Sequence, residues 1–272
     1  MTVYRYLDFE PPGWGELATP PTDWPTYAQR LLALNPLAYW RLNDAPDQSA
    51  IDATGNLTPG TYAPSVLRQQ PGALAYDADR AVTMDGVTGA INFLNTTLLN
   101  GATQGSILFW MNYHAPAVEA DGGVIARWAN TGASSRFGWM VWVDKVAGIS
   151  GRQRTLSFAV NTLAGDAGRI EGDTGLITPG VWDAYAATFT GGQELRLYKN
   201  GQLVGQKTTN EPSFISTNQP LRLGRTGGTI GHLPAGLDEV AVFDVALDAE
   251  AIQTLYEAGV GRLRLPEAGS PV

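Results

Sequence analysis

The sequence predicts an all-β fold, two antiparallel sheets packed face to face as a sandwich, and three observations carry that prediction. Short runs with apolar side chains at alternate positions recur along most of the chain. Glycine at 32 and proline at 17 of 272 residues supply the many tight turns such a fold needs. Helical periodicity is confined to the two ends, so the strands do not alternate with helices as they would around a parallel sheet.

The elements follow in chain order. Residues 1–25 read as an arm, because Pro11, Pro12, Pro20, Pro21 and Pro25 exclude a helix and favour extended backbone. Tyr4, Tyr6, Phe9, Trp14 and Trp24 lie in this arm without a local core. They either pack back onto the parent domain or dock on a partner protein. A short helix is expected over 26–34, stopped before Asn35-Pro36. A strand over 37–42 and a long loop over 43–70 come next. Further strands are expected over 90–94, 106–114, 123–129, 136–144, 155–161, 181–190, 194–199, 202–208 and 221–225.

Phe137, Trp139, Val141 and Val143 share one strand face, expected to be the core face, so Trp142 points away from Trp139. Asn200-Gly201 is the strongest hairpin signal, since both central positions of a type I′ turn need positive φ. The segment 235–259 closes the chain with a strand whose core-sealing ribbon is Leu237–Phe243, a polar corner and an amphipathic helix of about three turns. Residues 37–260 make one sandwich domain, preceded by an entry helix at 26–36 and followed by a tail at 261–272.

Composition narrows the function. Hydrophobic content of 44% with 16% charged residues describes a folded chain with a lightly charged surface. A net charge of −8 disfavours nucleic acid and anionic lipid as partners. No apolar run reaches membrane-spanning length, and the absence of cysteine excludes disulfides and thiolate metal sites. The first residues lack a basic segment followed by an apolar stretch, so no signal peptide is expected.

The segment Gly236-Leu-Asp-Glu-Val240, with Ala246-Leu-Asp248, Ile252, Leu255 and Tyr256 after it, resembles the closing strand and helix of the laminin-G-like, concanavalin A-like lectin/glucanase jelly roll. Pro36-Leu-Ala-Tyr-Trp-Arg-Leu-Asn-Asp44 is similar to that family's opening, and Asp52-Ala-Thr-Gly-Asn56 to a loop that follows it. Pro71-Gly-Ala-Leu74 running on to Met84-Asp-Gly86 is similar to the approach to the next strand. Residues 107–111, 178–189 and 197–204 then fall in the family's order. The likeness spans roughly residues 31–259, and its specificity lies in order and spacing rather than in any single motif.

The resemblance implies a protein that binds or bridges rather than catalyses. Family members with this opening are frequent among tailed-bacteriophage virion proteins. It therefore implies a capsid decoration, fibre or minor tail protein, located on the virion. The arm would dock on other virion proteins and the sandwich would contact host surface polysaccharide. The alternative is a free carbohydrate-binding lectin.

The family also implies structural calcium, with Asp52, Asn56 through its carbonyl, and Asp238 as ligands and Asp85 as a neighbour; the ion wants six to eight oxygens. The competing reading makes Asp52 and Asn56 turn-forming and lets Asp238 hold a loop amide. Trp128, with Asn130 and Arg127 close by, and Trp142 are candidate glycan platforms, although tryptophans in a sandwich are more often core. Trp40, Trp110 and Trp182 coincide with family core positions.

No catalytic constellation is expected. Glycosidases of this class pair two acids on one strand, whereas Glu171-Gly-Asp173 continues to Leu176 and Glu119-Ala-Asp121 to Gly-Gly-Val. His114 and His232, the only histidines, lie in different loops without a nearby triad.

Overall fold

A computed structural model of the chain describes residues 4–6, 25–94, 97–114, 121–130, 136–144, 154–162, 168–227, 231–261 and 264–266. The first half contains β1 (Tyr4–Tyr6), α1 (Tyr27–Ala33), β2 (Ala38–Trp40), β3 (Thr61–Tyr62), β4 (Leu67–Pro71), β5 (Arg80–Thr83), β6 (Ile91–Phe93) and β7 (Gln104–Tyr113). The middle contains β8 (Gly122–Asn130), β9 (Arg136–Asp144), β10 (Thr155–Thr162), β11 (Arg169–Glu171) and β12 (Trp182–Thr190). The chain ends with β13 (Glu194–Lys199), β14 (Gln202–Thr208), β15 (Leu221–Leu223), β16 (Ala235–Phe243), α2 (Ala249–Gly259) and β17 (Arg264–Pro266).

Two antiparallel sheets form the expected sandwich. One runs β11-β10-β9-β8-β15-β6-β3; the other runs β14-β13-β12-β7-β16-β5-β4, with β2 also on β16. We call them the front and back sheets. Period-two alternation sorts the side chains: Trp139, Val141 and Val143 of β9 enter the inter-sheet core, and Leu156, Phe158 and Val160 of β10 do the same. Phe189 and Phe214 meet edge to face in that core, ring centroids 4.8 Å apart.

A second apolar layer lies behind the back sheet. Leu108, Trp110, Ala186, Tyr198, Ala241 and Phe243 face Tyr27, Leu31, Ile252 and Leu255 of the two helices. Thr26 begins α1 with a capping box in which its hydroxyl and the Gln29 side chain each satisfy the other's amide. Asp248 caps α2 by accepting from Ala251 N at 2.8 Å. Trp110 lies between Tyr27 and Tyr256, at 6.4 and 6.0 Å.

Asn200 and Gly201, at φ 50° and 79°, make the β13–β14 turn that their sequence announces. The segment 43–70, expected as one loop, contains β3 and β4, and β11 was not anticipated. These strands have only two to five residues, too few for alternation to show. The backbone of β1 pairs with β17, joining the arm to the tail.

Candidate functional site

The most concentrated chemistry lies at an irregularity in β16. Its ladder with β7 shifts register between Asp238 and Ala241, and Glu239 sits at φ 52°. The extra residue lets Leu237 and Val240, three positions apart, both enter the inter-sheet core. Asp238 and Glu239, both 0% exposed, are left under the helix-covered side. At the same place one edge of β16 passes from β5, paired at residues 236–237, to β2, paired at 240–242.

Arg41, just after β2, gathers the charges. Its Nη2 lies 2.5 Å from Asp79 Oδ2 and 3.1 Å from Asp77 Oδ2, and its Nε lies 3.2 Å from Glu239 Oε1. The Tyr39 hydroxyl donates a short hydrogen bond to Glu239 Oε2. Asp238 Oδ2 accepts from Ala73 N at 2.8 Å, while its Oδ1 has no hydrogen-bond partner. Burial raises Asp238 well above its ordinary 3.8, and burial likewise raises Glu239 well above 4.5.

This cluster is where a cation belongs. Among the described residues, Asp79, Asp238 and Glu239 form the group of acidic side chains close enough to share a metal, their ligand atoms within 4.8 Å of one another. The guanidinium of Arg41 already ion-pairs with two of these three, Asp79 and Glu239, and Asp238 Oδ1 is left with neither a hydrogen bond nor an ion pair. The donor set as placed fits a guanidinium rather than a divalent ion, which would need six or more oxygens.

The residues expected to hold calcium have other work. Asp52 accepts from the amides of Tyr39, Thr54, Asn56 and Leu57 and from the Thr54 hydroxyl, at 2.7–3.0 Å. The Asn56 side chain donates to Leu37 O. Asp85 Oδ1 accepts from Val87, Thr88 and Gly89 N, and its Oδ2 from the Thr88 hydroxyl. Partial burial pulls the Asp85 pKa upward, but those amides outweigh it and hold the carboxyl below its ordinary range. Asp52 and Asp85 therefore organise loops, and Asp238 is not brought together with them. Arg41, Asp77, Asp79 and Glu239 went unnoticed in the sequence because the strand-and-bulge geometry alone assembles them.

The outward face of the front sheet holds the predicted glycan residues. Trp128 and Trp142, at 2% and 4% exposure, form a cluster with Ala126, Met140 and Ala159. Neither is an open platform. Each indole has a glycine as a cross-strand neighbour, Trp128 opposite Gly138 and Trp142 opposite Gly123. Trp142 does point away from Trp139, as alternation requires. Arg127 lies on the other face, fully buried, donating to Leu98 O, Thr217 O, Gln219 O and Asn100 Oδ1. Burial lowers its guanidinium to about 10. Asn130 ends β8, and its side chain lies outside the described set.

At the open edge, where β11 and β14 bring the two sheets together, lies a cleft of about 320 Å³. Arg169, Glu171, Asp173, Gln206 and Lys207 give it donors and acceptors of both charges. Arg169 Nη2 lies 2.5 Å from Glu171 and 2.7 Å from Asp144, which also accepts from the Ser157 hydroxyl. The same guanidinium covers the Trp142 ring at 4.8 Å. Glu171 is thus paired with a cation on its own strand.

Tyr4 and Tyr6 belong to β1 by backbone, and their side chains lie outside the described set, as do Phe9, Trp14, Trp24 and Glu119. Trp40 and Trp110 are buried, and Trp182 packs partly buried against the helix-side layer. No helix among the described residues is long and apolar enough to cross a membrane.

Residues 85–253 match the family described as the concanavalin A-like lectin/glucanases superfamily, and the chain belongs to it. Its fold is similar to that of Domain 4 of AbnA, a GH43 extracellular arabinanase from Geobacillus stearothermophilus, solved in complex with arabinotriose. There the identity is 19% and the TM-score 0.54, over 81% of this chain and 98% of that one. The binding domain of Paraclostridial Mosquitocidal Protein 1 is similar at 16% identity and TM-score 0.61, over 81% of this chain and 52% of that one. The botulinum neurotoxin serotype D ligand binding domain, solved with N-acetylneuraminic acid, gives 12% identity and TM-score 0.58, over 82% and 50%. The chain thus spans about half the length of these toxin domains. No curated protein sequence matches it.

The charge cluster sets a pH dependence. With Asp238 and Glu239 raised above 3.8 and 4.5, the folded protein holds more protons than the unfolded chain once the pH exceeds those values. Stability from these groups is complete below pH 4 and declines as the pH rises toward their folded values. Wild-type melting temperature is therefore expected to fall between pH 5 and 8. Asp238→Asn, which keeps the acceptor for Ala73 N, should flatten that slope; an unchanged slope would locate the proton uptake elsewhere. Because Arg41 supplies the cation, EDTA should move the melting temperature by less than about 1 °C. A larger fall reversed by calcium would put a divalent ion among these carboxylates.

Proposed function

We propose that this member of the concanavalin A-like lectin/glucanase superfamily is a non-enzymatic glycan-binding domain carried on a bacteriophage virion. Residues 1–25 attach it to other virion proteins, and the front sheet faces host surface polysaccharide. The observation that carries the glycan reading is the polar cleft between β11 and β14, beside the Arg169-covered face of Trp142. Its volume of about 320 Å³ suits one or two sugar units. Helices occupy the outward face of the back sheet, so the front sheet is the broad face left for a ligand among the described residues. The non-enzymatic reading is supported by Glu171, whose charge is paired with Arg169 rather than poised against a second acid.

The virion setting is supported by the proline and aromatic content of the arm and by the family opening at Pro36–Asp44. The second reading, a free lectin, is favoured by the likeness to AbnA Domain 4, a glycanase domain matched over 98% of its length.

A glycan array followed by calorimetry tests the binding site. Gln206→Ala combined with Lys207→Ala is expected to weaken binding about tenfold, the loss of one or two good hydrogen bonds, with little change in melting temperature. Equal binding by the variant would remove the cleft from the reading, and release of reducing sugar would end the non-enzymatic assignment. Deleting residues 1–24 should abolish incorporation into particles while leaving glycan binding intact. Normal incorporation would favour the free lectin.

A further inference from the structure

Most cations among the described residues have visible partners. Arg41 meets three carboxylates, Arg169 two, and Arg196 and Lys199 one each, while Arg127 reaches four oxygens. Arg154, just before β10, has an unpartnered Nε of its own, and two further arginines on the front sheet lack partners side by side. Arg222 Nε and Nη1 and Arg225 Nε have no hydrogen-bond partner, and neither residue takes part in an ion pair among the described residues. Those three nitrogens are closed to solvent, but each side chain as a whole is only half-buried, so Arg222 Nη2 and the Arg225 Nη atoms are the ones an external group can reach.

Backbone geometry puts the two together on the outward face. Leu221 and Leu223 of β15 enter the core, so Arg222 between them points out, flanked in register by Asn92 of β6 and Ala126 of β8. Gly224, at φ 82°, then turns the chain, and Arg225 comes to lie against Gly123 of β8. Burial, and after it the charge of Arg225, lowers the Arg222 pKa. His232, bridged to Arg225, is lowered by burial and then by Arg225, with only partial opposition from Asp85. The Asp85 carboxylate is committed to its own loop amides. Two adjacent like charges without a counter-charge are unfavourable unless something supplies one.

We propose that Arg222 and Arg225 form an anion subsite that takes the carboxylate or sulfate ester of an acidic sugar, Asn92 contacting a neighbouring hydroxyl. The proposal rests on the glycan-binding reading and assigns its chemical class. A single register row connects the subsite with the cleft: Arg225 beside Gly123, then Trp142, Ser157 and Glu171. At about 4.8 Å between strands, four strand steps span about 19 Å, the reach of a short oligosaccharide lying across the sheet. Guanidinium suits this task because its planar fork meets a carboxylate or sulfate with two parallel bonds. The net charge of −8 does not prevent it, since salt screens distant charges within about 10 Å while the local pair acts at contact.

Calorimetry with an acidic oligosaccharide, an oligogalacturonate, and with its carboxyl-reduced neutral counterpart tests the idea, with a sulfated oligosaccharide as a third arm. The acidic forms are expected to bind at least tenfold tighter than the neutral one, and to lose that advantage as salt rises from 20 to 500 mM. Arg222→Gln with Arg225→Gln should erase the difference and leave neutral-sugar binding unchanged. Preference for one acidic arm alone would identify carboxylate or sulfate as the group read. Equal binding of acidic and neutral sugars by the wild type overturns the anion subsite and leaves the glycan reading standing. Binding of none of the three overturns both. Should the double variant not fold, the salt dependence of the wild type decides between these outcomes.

Discussion

The Arg41 guanidinium is the contact on which the back sheet depends. β16 is an interior strand of that sheet, and at Asp238–Glu239 it does three things at once: it bulges, changes neighbour from β5 to β2, and carries two buried acids. A bulge of this kind leaves ladder groups unpaired and side chains pointing where alternation would not send them. Arg41 closes the gap from β2, reaching Glu239 on the bulge and Asp77 and Asp79 on the approach to β5. Removing one partner from such a cluster leaves buried charge uncompensated, which is costlier than never having built it. The cluster therefore fixes the register of three strands whose short lengths would specify it poorly on their own.

Once that register is set, the two faces of the sandwich take different roles. The back sheet turns Leu108, Trp110, Ala186 and Phe243 outward, and this apolar face requires the cover that α1 and α2 provide. Both helices are short, seven and eleven residues, too short to persist alone. Their stability comes from this docking and from their caps. The front sheet turns out a mixed set instead, with small residues at Ala126, Gly123 and Ala159, cations at Arg169, Arg222 and Arg225, and two sunken indoles. Such a face needs no helix layer, and its grooves are those of residue size.

Much of this architecture was legible in the sequence. The runs at 136–144, 194–199 and 202–208 coincide with β9, β13 and β14, because each is long enough for alternation to show and ends in turn residues. The closing helix and the Asn200-Gly201 turn were equally plain. The site was far less legible. Motif likeness pointed at Asp52 and Asp85, whose carboxylates are used up by their own loops. The cluster that does form draws on residues nearly 200 positions apart, Tyr39 and Glu239 among them. One sequence signal marked it: Leu237 and Val240 are three apart in a strand of period two, which requires an extra residue between them.

The same reasoning separates the arginines. Burial alone does not mark a functional cation, since Arg127 is fully enclosed yet answers to four oxygens that tie residues 98–100 and 217–219 to the core. Exposure alone does not either, because a solvated guanidinium costs nothing. Arg222 and Arg225 are neither: three of their nitrogens are enclosed without a protein partner, and the charge of Arg225 acts on Arg222. A fold could remove that cost with a leucine or a nearby glutamate, as Arg196 has in Glu194. That it instead keeps two unanswered cations on the one sheet face without a helix layer is the physical reason to look there for an external anion.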